Sequence, residues 1–234
     1  MTDSFLFPAG PTPAMPVVGE DKLYPINRIF CVGRNYRAHA LEMGVDPDRE
    51  PPFYFTKSPI TYVPTGSTVP YPPGTDNYHH EMELVVAIGQ AGFRVKEEDA
   101  LSLVYGYTAG LDMTRRDLQL VAREKGRPWD LGKDFEQAAV ASPLSKAEDV
   151  GHPSNNKLSL NVNGETRQAT DLTKLIWSVP ELVANLSQFY HLAPGDPIYT
   201  GTPEGVGPVV AGDQLEGEIE GIAQISLSIS EAEA

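Results

Sequence analysis

Apolar, β-branched runs separated by glycine and proline turns recur along the chain, and they predict several strands between helical segments. The clearest run covers residues 79–89, where an acidic start leads into an apolar stretch. Alternate side chains of a strand share a face, so Glu81 and Glu83 point one way, and Met82 and Leu84 the other. The pattern predicts a buried strand that carries two carboxylates inside, or else an edge strand whose glutamates face water.

The remaining periodic segments divide into strands and helices. Further strands are predicted at 29–32, 53–56, 104–111, 198–200 and 223–229, with a hairpin at 158–167 around Asn163-Gly164. Helices are predicted at 36–43, 96–99, 114–125 and 172–190, the last restarted at Pro180, with Ile176, Leu182, Val183, Leu186 and Phe189 on its apolar face. Asn35 and Gly44 are the expected caps of the first helix, and Thr114 and Asp117 form an expected capping box.

Composition and charge narrow the class of protein. With 41% hydrophobic and 21% charged residues, the chain of 234 residues can fold around a sizeable core. Its net charge of -14 repels phosphate backbones, so nucleic acid is excluded as an expected partner. The single cysteine, Cys31, cannot form an intramolecular disulfide, which fits a reducing cytoplasm. We expect neither a secretory signal nor a membrane span.

Prolines dominate the beginning of the chain. Five of the first 25 residues are proline, and each fixes φ and removes a hydrogen-bond donor. We therefore expect an extended arm at 1–25 that wraps a surface or a partner subunit, and the length of the chain fits either one large domain or two small ones.

Carboxylates are the first candidate site residues. Asp112 ends the predicted strand at 104–111, and it would join Glu81 and Glu83 unless it only caps the next helix. Buried like charges raise each other's pKa unless a cation lies between them. Hard carboxylate oxygens favour magnesium, manganese or calcium over zinc.

Five other side chains could take part in chemistry. His39 and Glu42 share a helix face, so the carboxylate could orient the imidazole as a base, or the two could form a solvated pair. Lys57, at a strand end, is either an anion anchor or a solvated lysine. Arg116 shares a helix face with Gln119, one turn from Asp112.

A glycine-rich loop follows the strand at 198–200. Its backbone N–H groups could bind a carboxylate, or its glycines could serve only a tight turn. It lacks the Gly-Lys-Ser/Thr ending of a phosphate loop, which argues against a nucleotide.

Four stretches in this order resemble the fumarylacetoacetate hydrolase superfamily. They are CVGRNY at 31–36, HHEME at 79–83, GLDMTRRD at 110–117 and TGTPEGVG at 200–207. Residues 110–119 and 126–129 are most similar to bacterial fumarylpyruvate hydrolases, followed by short acylpyruvate hydrolases and oxaloacetate decarboxylases.

The resemblance implies one domain at 26–234 with an α+β, β-rich fold, a mixed β-sheet roll with short flanking helices, in a homodimer. It implies that Glu81, Glu83 and Asp112 ligate one Mg²⁺ or Mn²⁺ per chain, with Lys133 as the active-site lysine beside the metal. His39 and Glu42 would lie on a helix that closes over the site and activates water, helped by a lid loop at 46–52. The positions that contact substrate in such enzymes are Arg34, Lys57, Arg116, Gln119 and Thr202.

The implied activity is hydrolysis of a carbon-carbon bond in a 2,4-dioxo acid, with fumarylpyruvate giving fumarate and pyruvate in aromatic, gentisate-type catabolism. The alternatives are an oxaloacetate decarboxylase, a dienedioate isomerase or decarboxylase, and a non-catalytic metal-binding dimer. Two departures from the family pattern affect the lysines. Ser58 stands between Lys57 and Pro59, and the acidic Asp134 and Glu136 follow Lys133 closely.

Overall fold

The computed structural model describes residues 6–8, 10–42 and 50–233. Its strands, in chain order, are β1 (Ala14–Met15), β2 (Tyr24–Pro25), β3 (Ile29–Val32), β4 (Tyr54–Lys57), β5 (Tyr62–Pro64), β6 (Ser67–Pro70), β7 (Tyr78–His80), β8 (Met82–Ile88), β9 (Val104–Asp112), β10 (Thr114–Arg115), β11 (Ala139–Ala141), β12 (Ser145–Lys146), β13 (Lys157–Val162), β14 (Glu165–Asp171), β15 (Pro197–Tyr199), β16 (Gly207–Pro208), β17 (Gln214–Ile219) and β18 (Ala223–Ser230). The α-helices are α1 (Arg37–Glu42), α2 (Glu97–Ala100), α3 (Arg116–Glu124), α4 (Asp130–Lys133), α5 (Ala147–Val150) and α6 (Val179–Leu186). Short 3₁₀ turns lie at Pro59–Thr61, Leu101–Leu103 and Leu172–Lys174.

Strand β8 lies inside the largest sheet, whose order is β4-β3-β15-β8-β9-β11-β5, with β12 also paired to β9. The pairs β15–β3 and β11–β5 are parallel, whereas β8 runs antiparallel to both of its neighbours. All seven residues of β8 are buried. The alternative of a water-facing edge strand is therefore wrong, and the buried strand is confirmed.

A second sheet has the order β14-β13-β17-β18-β6, in which β6 pairs with β18 in parallel. The predicted hairpin is the β13–β14 pair at one edge of this sheet. Both turn residues, Asn163 and Gly164, have positive φ, as a tight hairpin turn requires. Smaller sheets pair β10-β7-β16 and β1-β2. This mixed, β-rich architecture with short helices confirms the predicted fold class.

Two hydrophobic clusters cover the two faces of β8. Met82 and Leu84 on one face pack in the main core, which also takes Leu158 and Leu160 from the second sheet. Val85, on the other face, packs in a second cluster with side chains from β1 to β3. Because both faces are covered by apolar side chains, the charged residues at the start of β8 are enclosed by protein.

Part of the proline-rich beginning contributes to this second cluster. Met15, Val17 and Tyr24 are buried there, and the Tyr24 hydroxyl donates to the Ile88 carbonyl oxygen at 2.8 Å. The division into an arm at 1–25 and a domain at 26–234 stays a prediction.

Helices α3 and α6 are shorter than the periodic segments that predicted them. The expected capping box is wrong, because α3 begins two residues after Thr114 and Asp117 instead accepts from the Thr75 hydroxyl and the Asp76 N–H. The segment 172–190 contains a 3₁₀ turn and then α6, with a capping box at Ser178. Phe189 is 69% exposed, so its core assignment is wrong.

The first helix is present as α1, but the prediction that Asn35 caps it is wrong, because Tyr36 separates the two and the Asn35 side-chain oxygen accepts the Trp177 N–H at 2.7 Å. The Asn35 side chain donates to the carbonyl oxygens of Trp177 and Thr200, both at 2.9 Å, and so connects three segments. The predicted end at Met43 and Gly44, and residues 46–49 of the expected lid loop, lie outside the described residues. No described helix has the length and apolar character needed to cross a membrane.

Replacing Leu160 by alanine tests the contact between the sheets. Leu160 is fully buried, so the cavity should lower the free energy of unfolding by about 2–5 kcal/mol in urea denaturation. Leu23, which is 61% exposed, provides the control, since Leu23→Ala should change it by less than about 0.5 kcal/mol. Equal effects of the two substitutions would contradict this account of the core.

Candidate functional site

Three buried carboxylates meet at one end of the β8–β9 pair. Glu81 immediately precedes β8, Glu83 is its second residue, and Asp112 ends β9. The Asp112 N–H donates to the Glu81 carbonyl oxygen at 2.9 Å, which continues the antiparallel pairing past Met82. One carboxylate oxygen of each residue lies within 4.8 Å of the others, so the three could hold a metal ion.

Two buried lysines share the Asp112 carboxylate. Lys57 Nζ lies 2.8 Å from Oδ1, and Lys133 Nζ donates to Oδ2 at 2.7 Å. Lys133 also donates to Glu81 Oε2 and to the Thr114 hydroxyl, both at 2.8 Å. The solvated alternative for Lys57 and the helix-cap alternative for Asp112 are therefore both wrong.

Opposite charges hold the Lys133–Glu81 pair ionised. Burial alone would lower the pKa of Lys133, but Asp112 and Glu81 raise it above the usual value. Burial would raise the pKa of Glu81, but Lys133 and Arg116 outweigh that effect and bring it below its usual range. Arg116 reaches Glu81 Oε1 through Nη2 and donates from Nη1 to Gln119 Oε1 at 3.1 Å.

Glu83 is in a different electrostatic position. Its Oε2 accepts the Gly201 N–H at 2.7 Å. Burial, then the charges of Asp112 and Glu81, raise the pKa of Glu83 well above its usual value. A divalent cation among the three carboxylates would relieve this repulsion, and their oxygens are hard ligands, so the residues present fit Mg²⁺ or Mn²⁺.

His39 and Glu42 form the predicted pair on α1. His39 Nδ1 lies 3.1 Å from Glu42 Oε2, and the His39 side chain is only 6% exposed. The Gly205 N–H donates to the same carboxylate, at 3.2 Å to Oε1 and 3.3 Å to Oε2. The imidazole is thus enclosed and oriented, and the alternative of a freely solvated pair is wrong.

The glycine-rich loop makes a tight turn and also donates backbone N–H groups to carboxylates. Its acceptors are the protein's own Glu83 and Glu42. Gly201 and Gly205 have φ of 97° and 87°, and a Cβ on Gly205 would lie 2.0 Å from the Arg167 carbonyl oxygen. Glycine is required at Gly205 by both the conformation and the space.

A cleft beside the carboxylates brings together most of the predicted residues. Its lining consists of Gly33, Arg34, His39, Glu81, Arg116, Gln119, Arg123, Trp129 and Lys133. Lys57 is not one of these lining residues, and its ammonium group lies against the Asp112 carboxylate. Thr202, in the loop after β15, donates its hydroxyl proton to the Met82 carbonyl oxygen at 2.9 Å, so its side chain contacts the first residue of β8.

Sequence reasoning missed Gln168, a buried residue on the otherwise exposed strand β14. Its Oε1 accepts the Met82 N–H at 3.0 Å, and its Nε2 donates to the Thr202 hydroxyl at 2.9 Å and to the Pro203 carbonyl oxygen at 3.0 Å. Gln168 therefore ties the glycine-rich loop to the strand of the two glutamates. No local pattern marks it, because all these partners are distant in sequence.

Comparisons with known proteins all point to one family. The model of the fumarylacetoacetate (FAA) hydrolase C-terminal family matches residues 28–230. A fumarylpyruvate hydrolase from Ralstonia sp is 60% identical over 189 residues, covering 81% of this chain and 98% of that protein. The human mitochondrial oxaloacetate tautomerase FAHD1 is 40% identical over 205 residues, covering 88% of this chain and 92% of that protein.

Solved structures show the same similarity in three dimensions. The crystal structure of fumarylpyruvate hydrolase from Pseudomonas aeruginosa in complex with Mn²⁺ and pyruvate has a TM-score of 0.95 and 49% sequence identity to this chain. The match covers 97% of this chain and all (100%) of that one.

Removing Lys133 tests the charge balance of the site. In metal-free protein kept in chelator, Lys133→Met should lower the free energy of unfolding by about 3 kcal/mol, because Glu81 and Asp112 lose a buried partner. The control is Lys96→Met, since Lys96 and Glu98 form an ion pair with side chains 76% and 73% exposed. That control should cost less than about 1 kcal/mol in the same urea titration. A Lys133 variant as stable as the control would contradict the proposed pairing.

Proposed function

The chain belongs to the fumarylacetoacetate hydrolase family, and we propose that it is a metal-dependent hydrolase that cleaves the carbon-carbon bond of a 2,4-dioxo acid. The proposed substrate is fumarylpyruvate, and the products are fumarate and pyruvate. The observation that carries the proposal is that His39 and Lys133 line one cleft beside the cluster of three carboxylates. The similarity to fumarylpyruvate hydrolases, one of them with Mn²⁺ and pyruvate bound, supports the choice of substrate.

Glu81, Glu83 and Asp112 are the proposed ligands of one Mg²⁺ or Mn²⁺ per chain. When bound, such a cation supplies Lewis-acid stabilisation of negative charge that develops on the α-keto acid end of the substrate. The protein contributes the rigidity of the β8–β9 pair and the Gly201 N–H that orients Glu83.

His39 is the proposed general base. Its Nδ1 donates to Glu42, which leaves Nε2 to take a proton from water, and the resulting hydroxide attacks the C4 carbonyl carbon. Glu42 stabilises the imidazolium that forms, and the Gly205 N–H fixes that carboxylate. The C3–C4 bond then breaks, its electron pair forms the enolate of pyruvate, and a proton returned to C3 gives pyruvate.

Cationic side chains are assigned to the two ends of the substrate. The Lys133 ammonium is proposed to stabilise the developing enolate, because the buried setting strengthens a fixed charge. Arg34, whose guanidinium lies 5.1 Å from the centre of the Phe53 ring, is proposed to bind the distal carboxylate. Lys57, Arg116, Gln119 and Thr202 are proposed to support substrate binding; in this structure they contact Asp112, Glu81, Arg116 and the Met82 carbonyl oxygen.

The second candidate is chemistry on oxaloacetate, favoured by the similarity to oxaloacetate tautomerases. Decarboxylation forms the same enolate of pyruvate without an attacking water, and tautomerisation only moves a proton. Neither yields a second carboxylic acid. A dienedioate isomerase has a more distant relative in its favour, 5-carboxymethyl-2-hydroxymuconate delta-isomerase from Mycobacterium smegmatis, whose crystal structure has a TM-score of 0.79 and 34% sequence identity to this chain. A dimer that binds metal without catalysis has no need of His39 or Lys133.

The setting of the enzyme is also part of the proposal. We infer a homodimer that acts in aromatic, gentisate-type catabolism, the setting in which a fumarylpyruvate hydrolase works. A cytoplasmic location fits the one cysteine of the sequence, Cys31, which is a free and buried thiol.

A product assay tests the reaction. Purified protein with Mn²⁺ should convert fumarylpyruvate into equal amounts of fumarate and pyruvate, and a chelator should abolish the conversion, as chromatography of the products will measure. Oxaloacetate is the comparison substrate. Pyruvate and carbon dioxide from oxaloacetate, with no fumarate from fumarylpyruvate, would overturn the hydrolase assignment and favour a lyase.

Two substitutions separate the metal ligands from the base. Glu81→Gln should abolish both Mn²⁺ binding, measured by calorimetry, and hydrolysis, because it removes a charged ligand. His39→Ala should keep the Mn²⁺ affinity and lower kcat by about 10²–10⁴-fold, the usual contribution of a general base. Full hydrolysis by His39→Ala would show that His39 is not the base.

A further inference from the structure

The residues that follow the two buried lysines bind each other. The Ser58 N–H donates to Asp134 Oδ1 at 2.7 Å, and the Ser58 hydroxyl donates to Asp134 Oδ2 at 2.8 Å. Ser58 follows Lys57 at the end of β4, and Asp134 follows Lys133 at the end of α4. The two departures from the family pattern are thus one structural feature, a two-bond clamp between the lysine-bearing segments.

The clamp closes a ring of contacts around Asp112. Lys57 and Lys133 bind the two oxygens of the Asp112 carboxylate, and Lys57 Nζ also donates to the Lys133 carbonyl oxygen. The Ser58–Asp134 bonds join the same two segments on the main-chain side. The positions of both ammonium groups are therefore determined together.

Helix α4 needs such an external restraint. It has four residues, and a helix this short has no stability of its own. Its last residue is Lys133, so the position of the ammonium depends on what fixes the end of the helix. Asp134 fixes it through a bidentate, charge-assisted contact to Ser58, the stronger kind of hydrogen bond.

We propose that Asp134 and Ser58 are positioning residues that hold the Lys133 ammonium where the enolate of the proposed reaction develops. This inference rests on the proposed function for its catalytic consequence. Its structural part, the fixing of a cation beside the carboxylate cluster, can be tested by binding alone.

Glu136 provides a matched control. It is another acidic residue that follows Lys133, and its side chain is exposed. Glu136→Ala removes the same charge as Asp134→Ala, two residues further along. The two variants share the loss of one negative charge from this segment, whereas only Asp134→Ala removes the contact to Ser58.

The test compares Asp134→Ala, Asp134→Asn, Ser58→Ala and Glu136→Ala in the Mn²⁺-loaded full chain. Asp134→Ala should lower kcat about tenfold, the usual size for a lost contact behind a reacting group, and leave KM and the Mn²⁺ dissociation constant within about threefold. Asp134→Asn should restore most of the rate, because its amide oxygen can accept the Ser58 N–H and its amide NH₂ can donate to the Ser58 hydroxyl oxygen. The kcat of Ser58→Ala should lie between those of Asp134→Asn and Asp134→Ala. Adding Ser58→Ala to Asp134→Ala should lower kcat no further.

Oxalate binding gives a readout that does not depend on turnover. Oxalate is a planar dianion that mimics the enolate of pyruvate, so its affinity for the Mn²⁺-loaded protein, measured by calorimetry, should fall about tenfold in Asp134→Ala and stay within about twofold in Glu136→Ala. If the wild type fails to cleave fumarylpyruvate, the proposed function is wrong, and the oxalate comparison still decides on the clamp. Equal oxalate affinities in Asp134→Ala and Glu136→Ala would overturn the clamp, as would an Asp134→Asn variant as impaired as Asp134→Ala. Melting temperatures will confirm that each variant is folded.

Discussion

Asp112 has a lysine ammonium beside each of its carboxylate oxygens, and the rest of the site depends on this shared ion pair. A carboxylate this deeply buried is tolerated only when cations and hydrogen bonds compensate for its lost hydration. Lys57 comes from an edge strand of the large sheet and Lys133 from a one-turn helix, so both must be delivered to the end of β9. The strand order brings Lys57 to the end of β9, and the position of α4 brings Lys133 there.

The strands were predictable where the pattern of side chains is local. The run at 79–89 identified β8, and Asn163-Gly164 identified the β13–β14 turn. Helix boundaries were less predictable, since Thr114 and Asp117 have the spacing of a capping box but make their hydrogen bonds elsewhere. Several short strands, such as β10 and β16, have two residues each and exist only because a partner is present.

The residues of the candidate site also divide into those that a local pattern predicts and those that it does not. Glu81 and Glu83 follow from alternation along one strand, and His39 and Glu42 from spacing along one helix. Lys133 has no such local signature, and the family resemblance alone pointed to it. Gln168 and the Ser58–Asp134 contact could not be predicted, because each depends on segments brought together by the sheets.

The parallel pairing of β6 with β18 has a consequence for biosynthesis. The Ser226 N–H donates to the Thr65 hydroxyl across 161 positions of sequence, so β6 leaves the ribosome long before the strand that covers its edge. During that interval the nascent chain presents an unpaired strand, the kind of surface that promotes association between chains. Pairings so distant in sequence also form slowly. We therefore expect the yield of folded protein to depend on how long β6 stays uncovered during synthesis, and not on native-state stability alone.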